Sequence, residues 1–280
     1  MLHKIKQIML EQRKLELPND VEIASQTNSR DLVIISIPKM GKGSILGSFT
    51  SKYNALVFDL EKGGYEFIDA RKISIYPTQD TTLGEAYGNY VKYRNLLLEQ
   101  KGKYEYLIID GLSDLDLMSS IGGTYLFMDS VMGKTFNRSG GEKLKYGDKG
   151  FVLVENFLKE GGGYKWTREW FMQQIEIFKQ IAPYRLFAAH ISDKLIRDSQ
   201  KDEVMGSEIS LTGKLKTIFA SKVTSLAKLI ADGDKRYLNF EVMNDSIIAG
   251  SRNPKLTGKI LISEKDKNGN IITHWDKIYN

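Results

Sequence analysis

No cysteine occurs anywhere in the 280 residues, so disulfide frameworks, cysteine-ligated zinc and thiol catalysis are excluded. Histidine is nearly as scarce: His3, His190 and His274 stand far apart in sequence, which argues against a histidine-rich metal centre. There is no convincing internal repeat and no low-complexity tract. No apolar run approaches the ~18 to 20 residues of a membrane span, and the first residues lack the apolar core of a secretory signal. No membrane partner and a cytoplasmic location are therefore expected. Neither sign of charge dominates, since 40 basic and 35 acidic residues leave a formal charge of +5. So modest an excess is compatible with a nucleic-acid partner and equally with a protein that never touches one.

What the chain does have is enough apolar material, 41% of residues, for one large α/β domain with appendages. Its most informative stretch is residues 32 to 44, LVIISIPKMGKGS. Leu32 to Ile35 read as a strand buried on both faces, which breaks at Pro38 into a glycine-lysine turn before a helical segment. That is the layout of a phosphate-binding loop. Small residues let backbone N–H groups converge on a polyphosphate, a lysine reaches its terminal phosphates, and a helix N-terminus faces the anion. Pro38, Lys39, Met40, Gly41, Lys42, Gly43 and Ser44 are the candidate nucleotide-binding residues. The fit to G-x-x-x-x-G-K-[ST] is partial: Ser36 stands at the first glycine, and Gly43 stands at the hydroxyl that binds magnesium. Ser44 offers a hydroxyl one position late, turned by about 100° around the helix. The same Gly-Lys-Gly-Ser tetrad also makes an ordinary surface turn.

Further along, residues 54 to 64 form a short apolar run ending in Asp59, Glu61 and two glycines, at the strand end where open α/β sheets bind ligands. A carboxylate at Glu61 is placed to orient a water attacking a terminal phosphate; a solvated strand end is the alternative. Residues 73 to 76 suggest another strand and Leu83 to Gln100 a helix. Tyr106 to Ile109 then read as a buried strand ending in Asp110, a carboxylate suited to the water shell of magnesium, although Asp also ends strands as a turn former. Residues 114 to 128 look helical with Gly122-Gly123 interrupting. Residues 132 to 150 mix lysine, arginine and glycine, and read either as a mobile basic loop for a phosphodiester backbone or as a solvated insertion. A helix over 166 to 181 carries tryptophans better suited to the core than to stacking bases. Residues 185 to 191 form a third buried strand finishing in His190, followed by a polar loop over 193 to 213. A helix from Leu215 and a strand from Val223 come next, then a hairpin of Tyr237–Val242 against Ser246–Gly250 with Arg252 beyond it. The turn at 267 to 270 predicts a last hairpin of Leu261-Ile262 against Ile271-Ile272.

Five blocks in this order, residues 37–44, 58–63, 106–112, 190–194 and 250–256, resemble those of phage-type RecA/RadB-like P-loop ATPases. These are AAA-domain nucleotide-binding proteins that include single-strand-annealing recombination ATPases. The resemblance covers about residues 30 to 262. It implies a RecA-like P-loop NTPase core, a mostly parallel central sheet flanked by helices, with C-terminal antiparallel hairpins. With residues 1 to 17 read as a short amphipathic helix, from Leu2, Ile5 and Met9 near one side, and 18 to 30 as a polar connection, the resemblance divides the chain into an N-terminal helix and linker (1–30), the ATPase domain (31–262) and a hairpin tail (263–280). It also implies ATP and Mg2+ as cofactors, and ring or filament homo-oligomers with ATP held between subunits. Its partners would be single-stranded DNA and single-strand-binding or recombination proteins. By position, Lys42 would grip the phosphates, with Asp110 and Ser44 on the magnesium. Glu61 would activate water, His190 would sense the terminal phosphate, and Arg252 would act as an arginine finger in the neighbouring subunit. Segments 132–150 and 193–213 fall where DNA-facing loops belong. Gly43 removes the direct magnesium ligand, so binding of ATP is expected to survive better than its hydrolysis. A non-catalytic nucleotide-binding module and a P-loop kinase for a small metabolite are the competing classes.

Overall fold

The computed structural model describes residues 28–135, 138–139, 142–158, 160–198, 201–241 and 249–279. The amphipathic helix expected over residues 1 to 17 and nearly all of the linker after it lie outside the described residues. The apolar runs become strands β1 (Asp31–Ser36), β2 (Ala55–Asp59) and β4 (Tyr106–Asp110), buried at every position. Burial on both faces is what a parallel sheet requires. The parallel strands lie in the order β9 (Ser225–Asp232), β1, β7 (Tyr184–Asp198), β4, β2, β3 (Lys72–Ser74). Beyond β9 the sheet continues antiparallel through β10 (Lys235–Asn239), β12 (Lys259–Lys265) and β13 (Ile271–Thr273). The chain is thus α/β, a mostly parallel mixed sheet with antiparallel C-terminal strands and flanking helices.

Alternate residues of β1 feed two core layers. Val33 and Ile35 join Tyr90 of helix α2 (Leu83–Glu99), Met118 of α3 (Leu112–Asp129) and Trp170 and Phe178 of α5 (Gly163–Ile181), a short α4 (Val154–Phe157) lying between α3 and α5 in sequence. Leu32 and Ile34 face Ile45 and Phe49 of α1 (Lys42–Lys52), together with Trp275 and Tyr279 from the tail. Trp275 donates its indole N–H to the Ile45 carbonyl at 3.1 Å, and its ring meets Phe49 edge-on at 4.8 Å. The tail therefore completes the layer beneath α1.

At the opposite edge from the loop, Asp31 accepts from the Arg185 guanidinium at 2.7 Å, a buried pair between neighbouring strands. It fixes the register that sets Ser36 beside His190, and a one-residue slip would turn every core side chain of β1 to the wrong layer.

Four local expectations are corrected. The strand expected to finish at His190 runs on to Asp198 and returns as β8 (Lys201–Ile209), so much of the expected loop over 193–213 is a two-stranded arm. Its sequence is polar, and a ladder of backbone hydrogen bonds without an apolar run leaves no periodic signal. β10 pairs with β9 through a two-residue Gly233-Asp234 turn on one edge and with β12 on the other, so both its edges are taken; residues 242 to 248 of the hairpin expected there lie outside the described residues. Gly233, at φ 55, supplies the left-handed conformation such a turn needs. The last hairpin forms, but Ser263 to Lys265, rather than Leu261-Ile262, face β13.

Finally, Gly122 and Gly123 do not interrupt α3. They let α5 approach it: a Cβ at 122 would stand 2.1 Å from the Trp170 ring, and one at 123 would stand 2.7 Å from the Thr167 nitrogen. Gly122→Ala is expected to destabilise the protein by about 2 kcal/mol or more through overpacking, although alanine has the better helix propensity. Urea unfolding of the two proteins measures the difference.

Candidate functional site

Five residues, Ile37 to Gly41, carry the chain from β1 into α1. Lys39 at φ 64 and Gly41 at φ 86 are both left-handed, which curls the backbone over the end of the sheet. Non-glycine residues seldom adopt this conformation, and alternating hands make an anion-binding concavity of N–H groups. α1 begins at Lys42 without a side-chain cap, so its first amides face outward with no side chain bonded to them. The loop is tied from the side by Arg236 of β10, whose Nε donates to the Met40 carbonyl at 3.1 Å.

Lys42 is the centre of the site. It is only 8% exposed, and its ammonium donates to Asp110 Oδ1 at 2.5 Å and to Glu61 Oε1 at 2.9 Å. Burial alone pulls its pKa down, but the charges of Asp110 and Glu61 outweigh that and hold it above the ordinary lysine value. The second oxygen of Asp110 accepts from the Tyr65 hydroxyl at 2.8 Å, and Glu61 also meets His190 Nε2 at 3.2 Å. Asp59 accepts from the Glu61 amide at 3.2 Å. Loss of hydration pushes Asp59 up to about 7 against that bond, with the Asp110 and Glu61 charges adding to the rise. Desolvation and the Glu61 charge likewise raise Asp114, on the first turn of α3, to about 6, with Lys42 opposing.

The chain matches no protein-family model and no curated protein. Function must be read from the geometry.

Of the residues singled out in the sequence, Lys42, Glu61, Asp110 and His190 meet beside the C-terminal ends of β1, β2 and β4, where β7 passes through His190 on its way to the arm. Pro38, Lys39 and Gly41 form the exposed rim of the loop, with Met40 partly covered, and Gly43 and Ser44 lie on the first turn of α1. Both Asp110 oxygens are engaged by Lys42 and Tyr65, neither by Ser44. Arg252 is not brought to Lys42 within the chain. It follows β11 (Gly250–Ser251), beside the N-terminal end of β9, and donates to the Ser221 carbonyl at 2.6 Å. Of the basic stretch 132–150, the described side chains include Lys143 paired with Asp129 and Tyr146 packed edge-on to Phe151.

Magnesium prefers one or two carboxylates combined with phosphate oxygens and water over a cage built by protein alone. The site fits that preference. Among the described residues no three acids or histidines are grouped to hold a metal by themselves, while Asp59, Glu61, Asp110 and Asp114 crowd around one lysine. Asp59 and Asp114 are raised first by loss of hydration and then by the charges of Glu61 and Asp110, and a divalent cation would offset the second of these.

Tyr65, Asp114, Gly111 and Arg236 belong to the site and went unread in the sequence. Gly111, at φ 104, follows Asp110, and a Cβ there would meet Glu61 Cγ at 2.9 Å. An Asp-Gly pair after a buried strand was the available signal for Gly111; nothing in the sequence marked Tyr65.

Asp59 is 2% exposed, and its folded pKa lies above the value of an unfolded aspartate, ~3.9. The folded chain therefore holds the extra proton between about pH 4 and 7, and stability falls as pH rises through that window. Asp59→Asn, which still accepts from the Glu61 amide, is expected to be more stable than the parent at pH 8 and nearly equal to it at pH 5. Urea denaturation at the two pH values checks this.

Proposed function

We propose that the chain binds a nucleoside triphosphate, ATP, in the loop from Pro38 to Ser44, and that it is a RecA-like P-loop ATPase. One observation carries the reading: a lysine on the first turn of an uncapped helix, after a left-handed loop, is buried against the acid ending another strand of the same parallel sheet. A buried ammonium held between carboxylates has little worth as a stabilising device, because desolvation offsets the attraction. As a phosphate grip it has an evident use, since a triphosphate competes for the same charge.

In this reading the loop amides and Lys42 bind the β- and γ-phosphates. Asp110 would hold a magnesium ion bound with ATP, which would neutralise charge on those phosphates. Glu61 accepts a proton from the attacking water, and His190, bonded to Glu61, aims that carboxylate and responds to the terminal phosphate. The sheet order supports this division of labour: β7 lies between β1 and β4, with His190 in register with Ser36 and Ala188 with Asp110, so His190 sits between loop and acid. Action on single-stranded DNA in phage recombination or replication, assembly into rings or filaments, and a finger role for Arg252 in a neighbouring site rest on the resemblance of the five sequence blocks. Gly43 favours one second reading, a nucleotide-binding module with little or no turnover.

Isothermal titration with a non-hydrolysable ATP analogue and Mg2+ tests the reading. Lys42→Ala is expected to weaken binding at least 100-fold, about 3 kcal/mol, because the charge-assisted contacts to phosphate are lost. No binding by the parent protein would end the proposal. Glu61→Gln is expected to keep nucleotide affinity and lower phosphate release at least tenfold, in line with removal of a general base; release unaffected by that change would remove Glu61 from the role.

A further inference from the structure

Gly43 stands where a phosphate loop ordinarily carries its hydroxyl, and the structure gives a steric reason for the glycine. Gly43 and Gly47 lie four residues apart on one face of α1, and the segment between β2 and β3 passes across both. A Cβ at position 43 would stand 2.9 Å from Ile68 Cδ1, 3.6 Å from the Gly64 carbonyl oxygen and 4.0 Å from Tyr65 Cζ. At position 47 it would stand 2.6 Å from Ile68 Cγ2 and 3.1 Å from the Asp69 carbonyl oxygen. The helix is thus shaved to admit this segment, and the segment delivers a hydroxyl of its own. Tyr65 is 2% exposed, its ring lies beside position 43, and its O–H donates to Asp110 Oδ2 at 2.8 Å. Lys72 holds it in place, bonding the Tyr65 carbonyl and lying over the ring at 5.8 Å.

Resting on the nucleotide reading above, we propose that Tyr65 takes over the task of the hydroxyl absent at position 43. It is a positioning residue for the magnesium–triphosphate complex. Its O–H fixes one Asp110 oxygen while Lys42 takes the other, so the carboxylate is oriented before ligand arrives. The loop departure at Gly43 and the aromatic at position 65 are then two halves of one arrangement.

The distinguishing quantity is the gain in ATP-analogue affinity on adding Mg2+ in place of EDTA, read by isothermal titration. Tyr65→Phe keeps the ring and its packing. It is expected to leave the affinity in EDTA within about twofold of the parent and to reduce the magnesium gain about tenfold, as loss of a group orienting a metal-binding carboxylate does. Adding Gly43→Ser with Ile68→Ala, which clears the colliding methyl, is expected to restore most of that gain. Thermal unfolding of each variant establishes that it is folded. An unchanged magnesium gain in Tyr65→Phe overturns the proposal, and so does an equal loss with and without magnesium, which would mark Tyr65 as structural. Absence of analogue binding by the parent protein overturns the nucleotide reading first and Tyr65 with it, whereas parent binding with an unaltered Tyr65→Phe gain overturns Tyr65 alone.

Discussion

One ammonium among four carboxylates governs this molecule. Lys42 reaches from the first turn of α1 to Asp110 and Glu61, and Asp59 and Asp114 crowd behind them. Strand spacing makes the contact demanding, because β1 and β4 are two strands apart, about 10 Å, with β7 between them. The lysine can bridge that gap only if the loop curls back over the sheet, which Lys39 and Gly41 arrange through left-handed backbone. It can meet Glu61 only if Gly111 leaves room for that side chain. Several conformational oddities of the chain thus serve one electrostatic contact.

The pattern explains which parts of the fold were legible in the sequence. Buried parallel strands announce themselves as continuous runs of β-branched and aliphatic residues, so β1, β2 and β4 stand out, and with them Lys42, Glu61 and Asp110 at their ends. Helices α2 and α5 are legible from their spacing of apolar residues. Two kinds of feature were not. The polar arm of β7 and β8 is held by backbone pairing alone as far as sequence pattern goes, and composition does not encode which carbonyl meets which amide. Residues that join the site from across a segment, Tyr65 and Arg236, depend on how that segment folds back, which no local spacing reveals. Gly122 and Gly123 show a related ambiguity: glycine suggests a break when read alone, but proves to be a groove once the partner helix is in place.

His190 occupies an intermediate position in this respect. Its place near a strand end was readable, but its strand does not stop there. β7 contributes a side chain to the acidic cluster and then leaves the sheet as an arm, so one continuous backbone joins the two. The hydroxyl of Ser36, its neighbour in register, and the second ring nitrogen of His190 are both buried and accept or donate no hydrogen bond among the described residues. Such unmet polar atoms are uncommon in protein interiors, and they lie at the same end of the sheet as Lys42.

The aromatic floor under α1 has a consequence for how the chain is made. Ile45 and the indole that hydrogen-bonds to it are 230 positions apart, and Phe49 shares its ring contacts with Tyr279. During synthesis from the N-terminal side, the underside of that helix stays incompletely covered while the 230 residues up to Trp275 are added. Contacts this remote in sequence slow folding and leave apolar surface open to other chains in the meantime. The helix that begins at Lys42 is therefore translated some 230 residues before the indole that becomes its permanent neighbour.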